Sequence, residues 1–277
     1  MTTLELSPAD FDLIRNLVRS RSAIVLEQDK HYLIETRLQM LAKTEGFPSV
    51  NHLMAEVRAE KQAVHTRVVE AMTTNETSFF RDLQPFEAFT KLVLPELLGR
   101  REKERRLQIW CAACSTGQEP YSIAMLLREH RPSLLDWKLQ LQASDLANTV
   151  LERARKGAFT QLEVNRGLPA MMLCKYFQKQ GAEWLVKDEL RSKIEFFQMN
   201  LVTPWPPLPA MDVIFLRNVL IYFDVATKQQ ILARVRKVLR PDGFLFLGGA
   251  ETTMNLDESF ERVPYERSGC YRLRKVV

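Results

Sequence analysis

The stretch Leu107-Gln-Ile-Trp-Cys-Ala-Ala-Cys-Ser-Thr-Gly-Gln-Glu-Pro-Tyr-Ser-Ile-Ala-Met-Leu126 decides how this chain folds. Its apolar run from Leu107 to Ala112 reads as a buried strand and residues 113–117 as a tight loop of small side chains. The stretch beyond is a helix with Ile123, Leu126 and Leu127 on one face. Strand, loop and helix in this order build a ligand crevice, because ligands of open α/β sheets settle at the carboxyl ends of the strands. The loop holds one glycine, Gly117, and lacks the G-x-G-x-x-G spacing that cradles a pyrophosphate. The crevice therefore suits a nucleoside without phosphates better than a dinucleotide.

Outward from this stretch the alternation continues. Strand-like runs at 139–145, 194–200, 211–217 and 243–249 interleave with helical patterns at 149–156 and 227–239, and the chain closes on Cys270-Tyr-Arg-Leu-Arg274. Such alternation predicts a doubly wound, mainly parallel sheet. Residues 157–193 are too many for an ordinary connection and are expected to form a small accessory subdomain.

Residues 1–74 have Gly46 as their only glycine and read as amphipathic helices. Ser7 offers an N-cap with Pro8 in the first helical position, followed by Phe11, Ile14, Leu17 and Val18 at helical spacing. A second helix over 29–43 turns Leu33, Ile34, Leu38 and Leu41 inward and Lys30, Arg37 and Lys43 outward, and stops at Gly46. Two more helices are expected over 49–60 and 62–72. The expected organisation is a small all-α domain over 1–74, a linking segment with a helix over 75–106, and an α/β domain over 107–277.

A chain of 277 residues with 46% hydrophobic residues is long enough to bury a sizeable core in one large or two ordinary domains. It opens without a basic and apolar leader, and no segment approaches the roughly 18 apolar residues of a membrane span, so a cytoplasmic protein is expected without membrane insertion. Cys111, Cys114, Cys174 and Cys270 show no secreted-type pairing pattern, and reduced thiols are expected. Cys111 and Cys114 form a C-x-x-C, but Cys111 lies inside the strand and no second pair or nearby histidine completes a zinc site. They read as two small core residues, and no metal is expected. The formal net charge of +5 is spread among interleaved acids, as in Arg100-Arg-Glu-Lys-Glu-Arg-Arg106, so charge does not imply nucleic acid.

Asp145 closes the second strand, where a carboxylate either accepts both hydroxyls of a ribose or caps the next helix. Strand order favours the ribose, since a nucleoside laid across the first loop would reach Asn200 and Leu201 at the end of the third strand. There an amide faces an adenine edge beside an aliphatic wall.

Four runs together resemble the chemotaxis receptor methyltransferases, the CheR family. They are Thr74-Asn-Glu-Thr-Ser-Phe-Phe-Arg-Asp82, Ala113-Cys-Ser-Thr-Gly-Gln-Glu-Pro-Tyr-Ser-Ile-Ala124, Ala143-Ser-Asp145 with Leu151-Glu-Arg-Ala-Arg-Lys-Gly157, and Phe215-Leu-Arg-Asn-Val-Leu-Ile-Tyr-Phe-Asp224. The resemblance covers nearly the whole chain. It implies an S-adenosylmethionine-dependent methyltransferase domain that esterifies glutamates of chemoreceptors and leaves S-adenosylhomocysteine as product. It also implies cofactor contacts at Asn75, Thr77, Arg81, Glu119, Asp145, Asn200, Leu201, Arg217 and Asn218. Glu119, just past the first loop, would pair with the cofactor's ammonium group, or else is a first-turn acid favoured by the helix dipole.

A glutamate acceptor is ionised at neutral pH, its reference pKa being about 4.3, so no general base is needed. Attack of an anion on a sulfonium destroys charge, and a strong cation on the acceptor would mostly stabilise the ground state. Arg81 is therefore expected to hold the cofactor's carboxylate or to orient the acceptor loosely, with alignment supplying most of the catalysis. Tyr222 is the other candidate for positioning the acceptor, against plain packing beside Ile221 and Phe223.

The resemblance gives the N-terminal domain a docking role toward the helical bundle of the receptor, and Lys30, Arg37 and Lys43 are its candidates. Glu27, Asp29, Glu35 and Glu45 nearby also fit a solvated mixed face. Family members that bind a receptor pentapeptide by strand addition carry a glycine-rich turn in the accessory subdomain. Here Tyr176-Phe-Gln-Lys-Gln-Gly-Ala-Glu-Trp-Leu-Val186 has only Gly181, so tether independence is expected. Two rivals remain. A methyltransferase of nucleic-acid amines would want an Asn-Pro-Pro-aromatic turn where this chain has Arg217-Asn-Val-Leu220, and intact Arg81, Glu119, Asp145 and Tyr222 argue against a non-catalytic module that senses the cofactor.

Overall fold

The computed structural model describes residues 6–130, 134 and 136–275. The chain divides into a first unit, made of the residues up to Thr74 with Tyr222–Thr227, and a second made of Asn75–Ile221 with Lys228 onward.

The first unit is built on α1 (Pro8–Ser22), α2 (His31–Thr44), α3 (Val50–Arg58) and α4 (Gln62–Ala71). Ser7 caps α1, its hydroxyl accepting from the Asp10 N–H at 3.2 Å, and Ser49 caps α3 by accepting from the His52 N–H. Phe11, Ile14, Leu17 and Val18 of α1 are buried with Ile34, Leu38 and Leu41 of α2. Leu33, expected inward, is only half-buried.

In the second unit α5 (Gln84–Ala88), a π-helical turn and α6 (Leu94–Arg100) follow one another directly. Phe86, Phe89, Val93 and Leu97 recur at helical spacing and are buried in the hydrophobic core of this unit. Residues 75–106, which the sequence offered as a linking segment, thus pack as part of the second unit.

Its main sheet uses β1 (Arg106–Ala112), β2 (Lys138–Asp145), β6 (Ile194–Gln198), β7 (Met211–Leu216), β8 (Leu239–Leu247), β9 (Phe260–Arg262) and β10 (Cys270–Leu273) in the order β6-β2-β1-β7-β8-β10-β9. The first five pair in parallel, and β10 runs antiparallel to β8 and β9. A central parallel strand is covered on both faces, so β1 is buried without alternation from Leu107 to Ala112, Gln108 included. The crossovers carry α7 (Gln118–His130), α8 (Asn148–Lys156) and α12 (Val225–Val238). Phe215 and Phe246 stack at 4.6 Å on neighbouring strands, with Phe89 edge-on to Phe215 at 5.6 Å.

Between α8 and β6 a separate three-stranded sheet has the order β3-β5-β4, from β3 (Ala158–Thr160), β4 (Phe177–Gln180) and β5 (Glu183–Val186). It is accompanied by α9 (Gln161–Asn165), α10 (Ala170–Tyr176) and α11 (Asp188–Arg191). Gly181 takes φ +59° in the short turn from β4 to β5, a left-handed conformation suited to glycine.

At the amino ends of the main strands lies a buried ionic cluster. Asp212, fully buried, accepts from Arg101 Nε and the Gln108 N–H, both at 2.8 Å, while the Arg101 fork holds Asp242 at 2.9 and 2.6 Å. Hydrogen bonds from Arg101 hold the Asp242 carboxyl below its ordinary pKa. Among the described residues no helix is long and apolar enough to cross a membrane.

Candidate active site

Strand register gathers the site. Ala112 pairs with Ser144 on one side and Leu216 on the other, Asp145 pairs with Gln198, and Leu216 with Leu247. The residues just past these positions therefore converge on one edge of the sheet: the loop 113–117, Asp145, Asn200, Arg217 with Asn218, and Gly248 onward.

The β1 loop is held in an unusual backbone. Ala113, Ser115 and Gly117 take φ of 58°, 50° and 97°, and a left-handed conformation disfavours the two that carry a Cβ by about 1 kcal/mol or more each. The Cys114 N–H donates to the Ser144 carbonyl at 2.9 Å and the Ser115 N–H to Asp145 Oδ2 at 2.8 Å. Asp145 Oδ1 accepts from the Ala147 N–H at 3.0 Å. The carboxylate is thus fixed between its own turn and the β1 loop. Capping of the following turn does not by itself exclude a ligand role, since each carboxylate oxygen has two acceptor positions.

Asn75–Asp82 is brought to this loop by its two phenylalanines. Phe79 is edge-on to Phe159 at 5.0 Å and Phe177 at 5.6 Å, and Phe80 is edge-on to Phe86 at 5.4 Å. Gly167 lies so close that a Cβ would stand 2.1 Å from the Phe79 carbonyl oxygen. The Phe80 N–H donates to Ser122 Oγ at 3.0 Å, and the Asn75 carbonyl accepts from Ser115 Oγ at 2.9 Å. Arg81 donates to the Glu76 carbonyl at 2.8 Å. Phe80 and Asp82 hold φ of 49° and 65°, so the segment is strained where it enters the site.

Arg217 is the hub. Its guanidinium, 1% exposed, pairs with Glu119 Oε2 at 2.8 Å and Asp82 Oδ2 at 2.9 Å. It also donates to the Arg81 carbonyl at 2.8 Å and lies 5.5 Å from the centre of the Phe86 ring. Burial raises the Glu119 carboxyl pKa, with Arg217 and then Arg81 opposing the shift. Only Oε2 of Glu119 is hydrogen-bonded among the described residues, leaving Oε1 to accept from a ligand.

Asn200 accepts from the Val202 N–H at 3.1 Å through Oδ1, beside the buried Leu201. Thr77 is half-buried. Tyr222 groups with the first unit instead, its carbonyl accepting from the Val25 N–H at 3.0 Å. In that same unit Arg37 turns back on the helices, donating to the Met72 carbonyl at 2.6 Å and Thr74 Oγ1 at 3.0 Å. Burial lowers its guanidinium pKa. Lys30 and Lys43 are exposed, Lys30 beside Asp29 at 3.3 Å. The outward set expected from α2 is therefore two lysines, with Arg37 engaged in internal bonds.

Cys111 and Cys114 are buried, and burial pushes both thiols well above their ordinary pKa, which suppresses the reactive thiolate. Among the described residues no group of three or more His, Cys, Asp or Glu could hold a metal.

Sequence reading missed Glu251. Its carboxylate accepts from the N–H groups of Asn218, Val219 and Leu220 at 2.7–2.9 Å. Its signal was available: it lies just beyond β8, on the same strand edge that marked Asp145 and Asn200. At this edge Asp82 and Glu119 pair with Arg217, while Asp145 and Glu251 are held by backbone N–H groups, so carboxylates outnumber the guanidinium groups of Arg81 and Arg217, a balance that favours a cationic ligand over a pyrophosphate.

Residues 9–73 match the family description "CheR methyltransferase, all-alpha domain" and residues 75–268 "CheR methyltransferase, SAM binding domain". Chemotaxis protein methyltransferase 1 of Pseudomonas aeruginosa is 39% identical over 270 residues, covering 96% of this chain and 98% of that protein. Chemotaxis protein methyltransferase Cher2 of Pseudomonas putida is 39% identical over 259 residues, covering 92% and 94%. The Escherichia coli chemotaxis protein methyltransferase is 35% identical over 264 residues, covering 93% and 89%.

Proposed function

Because the chain belongs to the CheR family of S-adenosylmethionine-dependent chemotaxis methyltransferases, we propose that its acceptors are glutamate side chains of chemoreceptors, which it converts to methyl esters. The observation that supports this most is the acidic strand edge built around Asp145, Glu119 and Arg217. The cofactor supplies a methyl group on a sulfonium, and its two positive centres against one carboxylate fit such a lining.

In this reading Asp145 accepts from the ribose hydroxyls, Asn200 faces the adenine edge along Leu201, and the free Oε1 of Glu119 accepts from the ammonium group. Arg217 pairs with both Glu119 and Asp82, and so ties Asn75–Asp82 to the start of α7. Thr77, Arg81 and Asn218 complete the cofactor contacts. Arg81 meets the cofactor's carboxylate. No residue needs to remove a proton, because a glutamate is already ionised at neutral pH. The chain's contribution is alignment and exclusion of water.

The decisive test is incubation with cofactor labelled in its methyl group and with receptor-bearing membranes, followed by alkali. Release of the label as methanol is expected, whereas label that survives alkali on the receptor rules out an ester.

We assign Lys30 and Lys43 to receptor docking in the first unit, with Arg37 supporting α2, which carries Lys43 and starts just after Lys30. Lys43→Glu is expected to raise the receptor KM about two- to fivefold, the size of one exposed charge pair, with cofactor KM unchanged. Arg37→Glu would also break the bonds to Met72 and Thr74, and its thermal midpoint is expected to fall where that of Lys43→Glu does not. A receptor KM that ignores Lys43→Glu contradicts the docking role.

The turn between β4 and β5 is short, with Gly181 its only glycine, which supports independence from a receptor pentapeptide. Calorimetry is expected to show no binding of such a peptide at about 10 μM, the affinity range of −7 kcal/mol that strand addition would have to supply. Saturable heat at that concentration overturns the assignment.

A further inference from the structure

The Glu251 side chain collects N–H donors in an unusual number. Oε2 accepts from Asn218 at 2.8 Å and Gly248 at 2.6 Å, and Oε1 from Val219 at 2.9 Å, Leu220 at 2.7 Å and Ile221 at 3.4 Å. Glu251 is 9% exposed, and no lysine or arginine pairs with it among the described residues. Gly248 makes room for the arrangement. A Cβ there would stand 2.7 Å from Asn218 Nδ2 and 2.8 Å from both the Asn218 nitrogen and Glu251 Oε2. Asn218 itself holds φ 58°.

Successive backbone N–H groups aimed at one point form a concavity that binds anions. This one begins at the residue after Arg217, at the edge where an anionic acceptor has to arrive. Donors on the acceptor carboxylate would stabilise the separated charges more than a transition state in which charge is being lost. We propose that Glu251 is a positioning residue for methyl transfer: its carboxylate fills the anion concavity of the Asn218–Ile221 turn, which fixes the turn and keeps its N–H groups off the acceptor. The proposal rests on the glutamate-acceptor reading given above.

Glu251→Gln and Glu251→Ala in the full chain test it by hydrogen exchange and steady-state kinetics. Exchange of the amides at 218–221 is expected to accelerate at least about tenfold while protection elsewhere is kept. The value of kcat should fall about tenfold or more with cofactor KM changed less than about threefold. Acetate supplies the atoms that Glu251→Ala removes and is expected to restore part of both losses, which chloride at equal ionic strength does not. Unchanged exchange, unchanged kcat, or equal effects of acetate and chloride would each overturn the proposal, as would loss of protection across the whole chain in Glu251→Gln. If Glu251→Ala does not fold, Glu251→Gln decides by the same exchange and kcat readings. A wild-type protein that forms no alkali-labile ester sinks the glutamate reading instead, and the exchange measurement stands apart from that outcome.

Discussion

Asp145→Ala is expected to weaken binding of S-adenosylhomocysteine by about 100-fold, or about 3 kcal/mol, measured by calorimetric titration. Two losses add. The ribose hydroxyls proposed to donate to this carboxylate lose charge-assisted bonds worth about 1.5–3 kcal/mol each, less what water returns. The Ser115 N–H, now bonded to Asp145 Oδ2 at 2.8 Å, loses the partner that helps hold the left-handed loop. Asp145→Asn separates the two, because an amide keeps one acceptor oxygen but offers the other neighbour an N–H. It is expected to fall between wild type and alanine. A loss below tenfold for alanine would remove Asp145 from the ribose and leave it as a helix-start residue.

Arg101→Met is expected to destabilise the second unit by about 3–5 kcal/mol, because it leaves Asp212 buried beside fewer donors. For a unit of this size that corresponds to a fall in thermal midpoint of roughly 6–20 °C. Asp212 retains the Gln108 N–H at 2.8 Å and Arg240 Nε at 3.5 Å, which together do not replace the Arg101 bond. Removing the charge as well, in Arg101→Met with Asp212→Asn, is expected to recover a large part of the loss. The cluster lies at the opposite end of the strands from the site, so cofactor affinity of folded protein should not move. A midpoint within about 2 °C of wild type would show that the pair contributes little, as exposed pairs do.

How far the fold could be read ahead varied by element for physical reasons. β1 was legible because a central parallel strand is buried on both faces and writes a run, Leu107 to Ala112, that is apolar except for Gln108. The strand-end positions of Asp145, closing β2, and Asn200, just past β6, were legible because the apolar runs marked where each strand stops. β9 was not, since a three-residue strand against β10 is selected by pairing and leaves no period in the sequence. The helix from Gln84 to Arg100 showed its apolar stripe but not what the stripe packs against, so it passed for a connection. Arg37 looked outward by helical phase, yet a long guanidinium reaches past its own face to Met72 and Thr74. Glu251 and Asp82 were hidden by distance: their partners lie 30 or more and 135 residues away, at Asn218–Ile221 and Arg217.

The return of the chain to its first unit at Tyr222–Thr227 sets a rule for dissection. A recombinant fragment ending at Thr74 would lack the Val25–Tyr222 backbone bond and the Arg19–Asp224 ion pair at 3.7 Å. Expressing the helices alone therefore removes part of the unit being isolated. A faithful fragment needs those six residues grafted back through a designed connection, and a proteolytic cut after Thr74 would leave them covalently on the other piece.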